Sequence, residues 1–129
     1  MLQVPDGAIV QLQAFRLEPK FIGEPDGMYT GVQDETLRLG AETVVNELIG
    51  NIQAGLKATP TAAFVLNQFA VALLQLTLFD TEDREQACAY LERIMDCVGL
   101  ESSNGLLNNW LYGFDPEDLG PKPAADTLS

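Results

Sequence analysis

The residues best able to do chemistry in this chain are carboxylates, and they fall in two patterns. Asp80, Glu82, Asp83 and Glu85 place four acids within six positions. Such a cluster could hold a divalent cation. A calcium-loop spacing counted from Asp80, however, puts Arg84, Glu85 and Leu91 where that loop needs an oxygen ligand, a glycine and a glutamate. The plainer role is a helix N-cap and first turn, where negative charge suits the positive end of the helix dipole. Glu85, Glu92 and Asp96 recur at i, i+7 and i+11, which is one stripe of a helix. Two carboxylates on a face can act as general acid and base if a pocket raises the pKa of one. Nothing apolar surrounds these three on their own face, so the stripe reads as solvated acidic surface or as a partner-binding surface.

Other chemistry lacks its usual parts. There is no histidine in 129 residues, which removes the commonest proton-transfer group near neutral pH and the commonest ligand for transition metals. A nucleophile at Cys88 or Cys97 would have no imidazole to activate it, and a serine nucleophile meets the same obstacle. No glycine-rich phosphate loop follows a strand. A non-enzymatic protein with no cofactor and no metal is expected. On one helix the two cysteines would lie ~13 Å apart along the axis, too far for a disulfide. Reduced core thiols in a cytoplasmic protein are the natural reading.

A second candidate set is amide and aromatic. Asn104, Asn108, Asn109, Trp110 and Tyr112 fall within nine positions, and tryptophan and tyrosine among hydrogen-bonding groups are interface hot-spot chemistry. The alternative is that Trp110 closes one end of the fold and the asparagines cap helices. Phe21 and Tyr29 admit the same structural role, packing a long loop onto the core.

Charge narrows the partner. Nineteen Asp+Glu against 7 Lys+Arg give a formal charge of −12. Nucleic acid and anionic membrane surfaces are held by fields of the opposite sign. The expected partner is a basic protein, with a second copy of this chain as the other option.

These residues must be positioned by helices. Residues 6–17 fit a helix face through Ala8, Ile9, Leu12 and Phe15, although Val10 and Leu17 with Ile9 and Phe15 also suit a strand. Gln11, Gln13, Ala14 and Arg16 favour the helix. Pro19 ends it, and a loop with turn chemistry follows through Gly31. Asp34 is the N-cap of a helix over about 35–57, with Leu37, Ala41, Val44, Val45, Leu48, Ile52 and Leu56 on its apolar stripe. Its Gly40, Gly50 and Gly55 mark close packing or fraying. Thr59 and Pro60 signal the next helix as N-cap and first position, running to about residue 78. That helix is apolar almost all round, which predicts a central helix, or one with a core face and an oligomer face. Asp80 caps a fourth helix that Gly99 ends. Its buried arc centres on Ala87, Leu91, Ile94 and Val98, flanked by Cys88, Met95, Tyr90 and Cys97. Ser102, Ser103 and Asn104 start a short last helix that Gly113 stops, with Phe114 folding back. The expected architecture is an all-α, four- to five-helix bundle in a single domain, residues 1–114, followed by a disordered tail, 115–129. Residues 1–6 lack the basic start of a secretory signal, and no apolar run approaches the ~20 residues of a membrane span.

The segments 80–85 (DTEDRE), 90–98 (YLERIMDCV) and 105–114 (GLLNNWLYGF) resemble a family of small bacterial proteins described only as a domain of unknown function. The resemblance covers residues 8–114, and its specific motifs lie between 80 and 114. It implies a bacterial, cytoplasmic, all-helical single domain and transfers no site residues. Small acidic proteins of this type include immunity partners of secreted toxins. The functional expectation is an acidic protein-binding module, with an immunity role against a basic toxin as its specific form. A self-associating structural or regulatory protein is the alternative. The candidate contact residues are Glu85, Glu92 and Asp96, and the set Asn104, Asn108, Asn109, Trp110 and Tyr112.

Overall fold

The computed structural model describes residues 1–112. Over these residues the chain forms α1 (Ala8–Leu17), α2 (Glu35–Gly55), α3 (Ala62–Leu76), α4 (Thr81–Val98) and α5 (Leu106–Leu111). The only β pairing among them is a single antiparallel bridge between Ile22 and Gly31. The all-α bundle is as the sequence predicts. Gly113, Phe114 and the tail lie outside the described residues.

Local chemistry sets most of the helix ends. Asp34 accepts a hydrogen bond from Leu37 N (3.1 Å) and Asp80 accepts one from Asp83 N (3.0 Å), each satisfying a donor that the first turn leaves free. Gly99 ends α4 at φ 79°, a left-handed conformation that suits glycine. The 6–17 segment is helical over Ala8–Leu17, after a left-handed Gly7, with Ala8, Leu12 and Phe15 turned inward.

Two starts differ from expectation. The side chain capping α3 is Thr61, which accepts from Phe64 N (3.1 Å). Thr59 and Pro60 lie outside the helix because the Pro60 carbonyl is committed to Leu2 N (2.8 Å). α5 begins after Gly105 at φ 86°, with Asn104 also left-handed at φ 56°, rather than at the Ser102–Asn104 cluster. There Ser103 supports the first turn, its carbonyl accepting from Leu106 N (3.1 Å).

α2 packs on α1, α3 and α4, while α4 packs on α1, α2 and α5. These two amphipathic helices form the centre. α3, the most apolar helix, packs chiefly on α2 and α5 and leaves Val71 and Leu74 more than 40% exposed. Its apolar composition therefore does not make it the enclosed helix that the sequence predicts, and the reading with a core face and an outward face describes it. The glycines of α2 resolve as close packing at two positions. A Cβ on Gly55 would stand 2.5 Å from the Phe64 ring, and one on Gly50 3.1 Å from the Arg16 guanidinium. All seven buried apolar residues of α4 belong to its predicted arc: Ala87, Cys88, Leu91, Ile94, Met95, Cys97 and Val98. Both cysteines are free. Among the described residues no helix is long and apolar enough to cross a membrane.

Candidate functional site

The three carboxylates of the α4 stripe are exposed, and each opens into a different hollow. Asp96 borders one with Gln11, Ala14, Arg93 and Cys97. Glu92 borders another with Glu101, Ser102 and Asn108. Glu85 borders a third with Glu24, Asp26, Met28, Tyr29 and Glu82. None of these three hollows holds two of the stripe carboxylates, so they are not brought together there as an acid–base pair. No group of three His, Cys, Asp or Glu among the described residues is arranged to hold a metal ion.

The amide and aromatic set also divides. Trp110 is 1% exposed. Its Nε1 donates to the Leu73 carbonyl and to Thr77 Oγ1, both at 3.1 Å, and the Arg84 guanidinium lies 5.2 Å from its ring centroid. Arg84 also donates to the Trp110 and Leu111 carbonyls, where a cation suits the end of a helix. Trp110 thus locks α5 onto the C-terminal end of α3 and is not a surface group. Asn104, Asn108, Asn109 and Tyr112 remain exposed. Asn104 occupies a left-handed position, the backbone role to which asparagine is suited.

Of these three hollows, the one at Glu85 gathers the most carboxylates. One wall is the first turns of α4 and the other is the turn at residues 24–28 of the long α1–α2 loop. That turn is held from within. Gly27 N donates to the Glu24 carbonyl (3.0 Å), Glu24 N to the Tyr29 carbonyl (2.9 Å), and Met28 N to Asp26 Oδ1 (2.9 Å). It is also held from behind, where the Tyr29 hydroxyl donates to buried Asp83 at 2.7 Å. Burial raises the Asp83 pKa, the hydrogen bond from Tyr29 opposes this, and the nearby Asp80 charge adds to it. Burial and the hydrogen bond to Asp83 likewise push the Tyr29 phenol up.

Two further anchors fix the loop's base. Phe21, buried and left-handed at φ 62°, donates its backbone N–H to the Tyr90 hydroxyl (2.8 Å) and packs edge-on against that ring. Lys20 is fully buried, and its ammonium donates to the carbonyls of Phe15 (2.7 Å), Glu18 (2.9 Å) and Arg16 (3.3 Å), capping the end of α1. Its N–H donates to Glu42 at 2.7 Å, and its carbonyl accepts from Arg38 at 2.8 Å. Burial lowers its pKa to about 8, against the pull of Glu42 and Glu18. Non-glycine residues in left-handed backbone persist only where surrounding structure over-determines them, as it does here.

The result is a groove with four exposed carboxylates (Glu24, Asp26, Glu82 and Glu85), an exposed Met28, and no cation among its described lining residues. It can receive a cationic side chain, with Met28 as apolar contact beside it. Sequence reasoning found Glu85 and noted the 80–85 cluster, but missed Glu24, Asp26 and Met28 as its neighbours. Their only local signal was turn chemistry.

No curated protein matches the chain. Among solved structures it is similar to a DUF3571 family protein from Acinetobacter baumannii, with 35% sequence identity, 95% of each chain covered and a TM-score of 0.75. The family model described as a domain of unknown function, DUF4844, matches residues 3–115. With nearly the whole length of its helical region inside that match, the protein belongs to the DUF4844 family.

Proposed function

We propose that this protein is a non-enzymatic binding module whose groove at Glu24, Asp26, Glu82 and Glu85 receives a lysine or arginine of a basic protein partner. The observation that carries the reading is four carboxylates with no cation among the described lining residues, set beside exposed Met28 between the first turns of α4 and a turn pinned from within and behind. Preorganised walls reduce the ordering cost of binding, and an acidic field of −12 steers a basic partner toward them. An immunity protein that blocks a basic toxin is the specific form this charge favours, because a site that handles polyanions is itself basic. Glu92 and Asp96 then contribute to the field rather than to the contact.

Affinity capture with the parent and with a Glu24→Lys/Glu82→Lys/Glu85→Lys variant tests the proposal. Basic proteins retained by the parent, released by salt and absent from the variant are the expected result. The same proteins on both baits would remove the groove from the interface. A parent that retains no basic protein from cells expressing a cognate toxin would overturn the reading itself.

A further inference from the structure

The segment from Lys20 to Val32 rests lightly on the helices. Within it only Lys20, Phe21 and Tyr29 are buried. Phe21 N donates to Tyr90 and the Tyr29 hydroxyl to Asp83, both on α4, while the Lys20 N–H and carbonyl meet Glu42 and Arg38 of α2. The segment is tied more closely to itself. Val32 N donates to the Phe21 carbonyl and Glu24 N to the Tyr29 carbonyl, both at 2.9 Å. A Cβ on Gly31 would stand only 2.6 Å from the Gly23 nitrogen. Few buried apolar groups, a left-handed Phe21 and an internally bonded backbone are the marks of a unit that opens locally. Two of its attachments also bury an ionisable side chain. The Lys20 ammonium is held by carbonyls and the Asp83 carboxylate by a phenol, and among the described residues neither makes an ion pair. Burying a charge without a counter-ion is costly.

We infer that residues 20–32 form a strap that lifts off α4 as one unit, with Lys20 and Asp83 as its proton-sensitive latches. Lys20 faces Glu42 and Arg38 of α2, Glu18 just past α1 and Arg93 of α4, with Tyr90 one bond away at Phe21. Burial outweighs the pull of Glu42 and Glu18 and lowers its pKa to about 8. Asp83 faces Tyr29 of the strap and Asp80 and Glu82 of its own helix. Burial raises its pKa, against the hydrogen bond from Tyr29. In the open strap both groups return to water and to their ordinary values. Opening then takes up a proton at Lys20 on the alkaline side and releases one at Asp83 on the acid side. Raising the pH through the folded Lys20 value therefore holds the strap down, and so does lowering it through the folded Asp83 value. The strap opens most readily between them, where both buried groups are charged. Opening carries Glu24, Asp26 and Met28 away from Glu82 and Glu85, so the acidic groove is complete only while the strap is down.

Hydrogen exchange of the full chain tests this without a partner, so the strap and the binding proposal can fail separately. Each rate is divided by the intrinsic rate of its amide. The N–H groups of Lys20, Phe21, Glu24 and Val32 should then share one protection factor, because two short paired segments do not hold together alone in water. That factor should lie at least ~100-fold below those of Val45 and Ile49 in α2. It should rise ~10-fold from about pH 7 to about pH 9, and rise again on the acid side. Lys20→Met should abolish the alkaline rise. Asp83→Asn should keep that rise and lose the acid one at ~0.5 M salt, where repulsion between the groove carboxylates is screened. Four amides as protected as Val45 and Ile49 would overturn the inference. So would four unequal protection factors, or a parent profile that is flat from about pH 7 to about pH 9.

Discussion

Around Tyr29, individual hydrogen bonds between distant segments hold charged groups in place. Along α2 and α3, the contact is made by buried Val, Ile, Leu and Phe side chains, and no single bond matters as much. The carboxylates at residues 24, 26, 82, 83 and 85 repel one another, so their placement has to be enforced by directional contacts: Tyr29 to Asp83, Phe21 to Tyr90, Lys20 to the end of α1. The apolar region needs only shape and volume. The molecule has thus separated a charged surface, which directional contacts must hold in place, from an uncharged region that needs only close packing.

Breaking the apolar region should cost most. Trp110→Ala removes the largest fully buried side chain and the bonds to Leu73 and Thr77, and should destabilise by ~3–5 kcal/mol in urea unfolding. Trp110→Phe, which keeps most of the volume, should recover most of that loss. A cost below ~1 kcal/mol for Trp110→Ala would mean that α5 is not part of the cooperative core.

In the charged region a single polar atom should matter, and the two partners should respond with opposite sign. Tyr29→Phe leaves the buried Asp83 carboxylate without its donor and should cost ~1–3 kcal/mol near neutral pH. Asp83→Asn keeps an oxygen to accept from Tyr29 but removes the buried charge, so it should be at least as stable as the parent there. The pH dependence follows from the same group. The Asp83 pKa is raised in the fold, so the folded state holds this proton more tightly than the unfolded chain does. Its contribution is present below the ordinary carboxylate pKa and is lost as pH rises through the folded value. Asp83→Asn should therefore exceed the parent most at about pH 7 and converge with it toward about pH 4. Equal pH profiles for the two proteins would place the raised pKa elsewhere.

The smallest effect should come from the groove rim. Among the described residues Glu24 has no basic partner, and it lines the same groove as Glu82 and Glu85. Glu24→Gln should stabilise by only ~0.3 kcal/mol at low salt, and the gain should vanish at ~0.5 M salt, where the Debye length falls to a few ångströms. A gain that persists in high salt would not be charge relief.

What could be read from sequence follows the range of the interaction. Asp34, Asp80 and Gly99 cap their helices through neighbours three or four residues away, and the buried arc of α4 follows from periodicity alone. The start of α3 was displaced because Thr59 and Thr61 are equally good capping residues. The choice between them involves the contact of Pro60 with Leu2, far away in the chain. Periodicity also overstated the burial of α3, because an apolar helix does not report how many neighbours it has. At the site, Glu85 was legible as part of a local cluster. Glu24 and Asp26 join it only through the Tyr29–Asp83 bond, across 54 positions. Lys20 carries no sequence signal of burial, since a lysine after a proline looks solvated until α1 turns its last carbonyls toward it.

Trp110 is the only tryptophan of the chain, and it is sealed between α3, α5 and the Arg84 guanidinium. Its fluorescence is therefore a built-in reporter for one junction. The emission follows the docking of α5 on α3, so opening of this end of the bundle can be watched in the unlabelled protein.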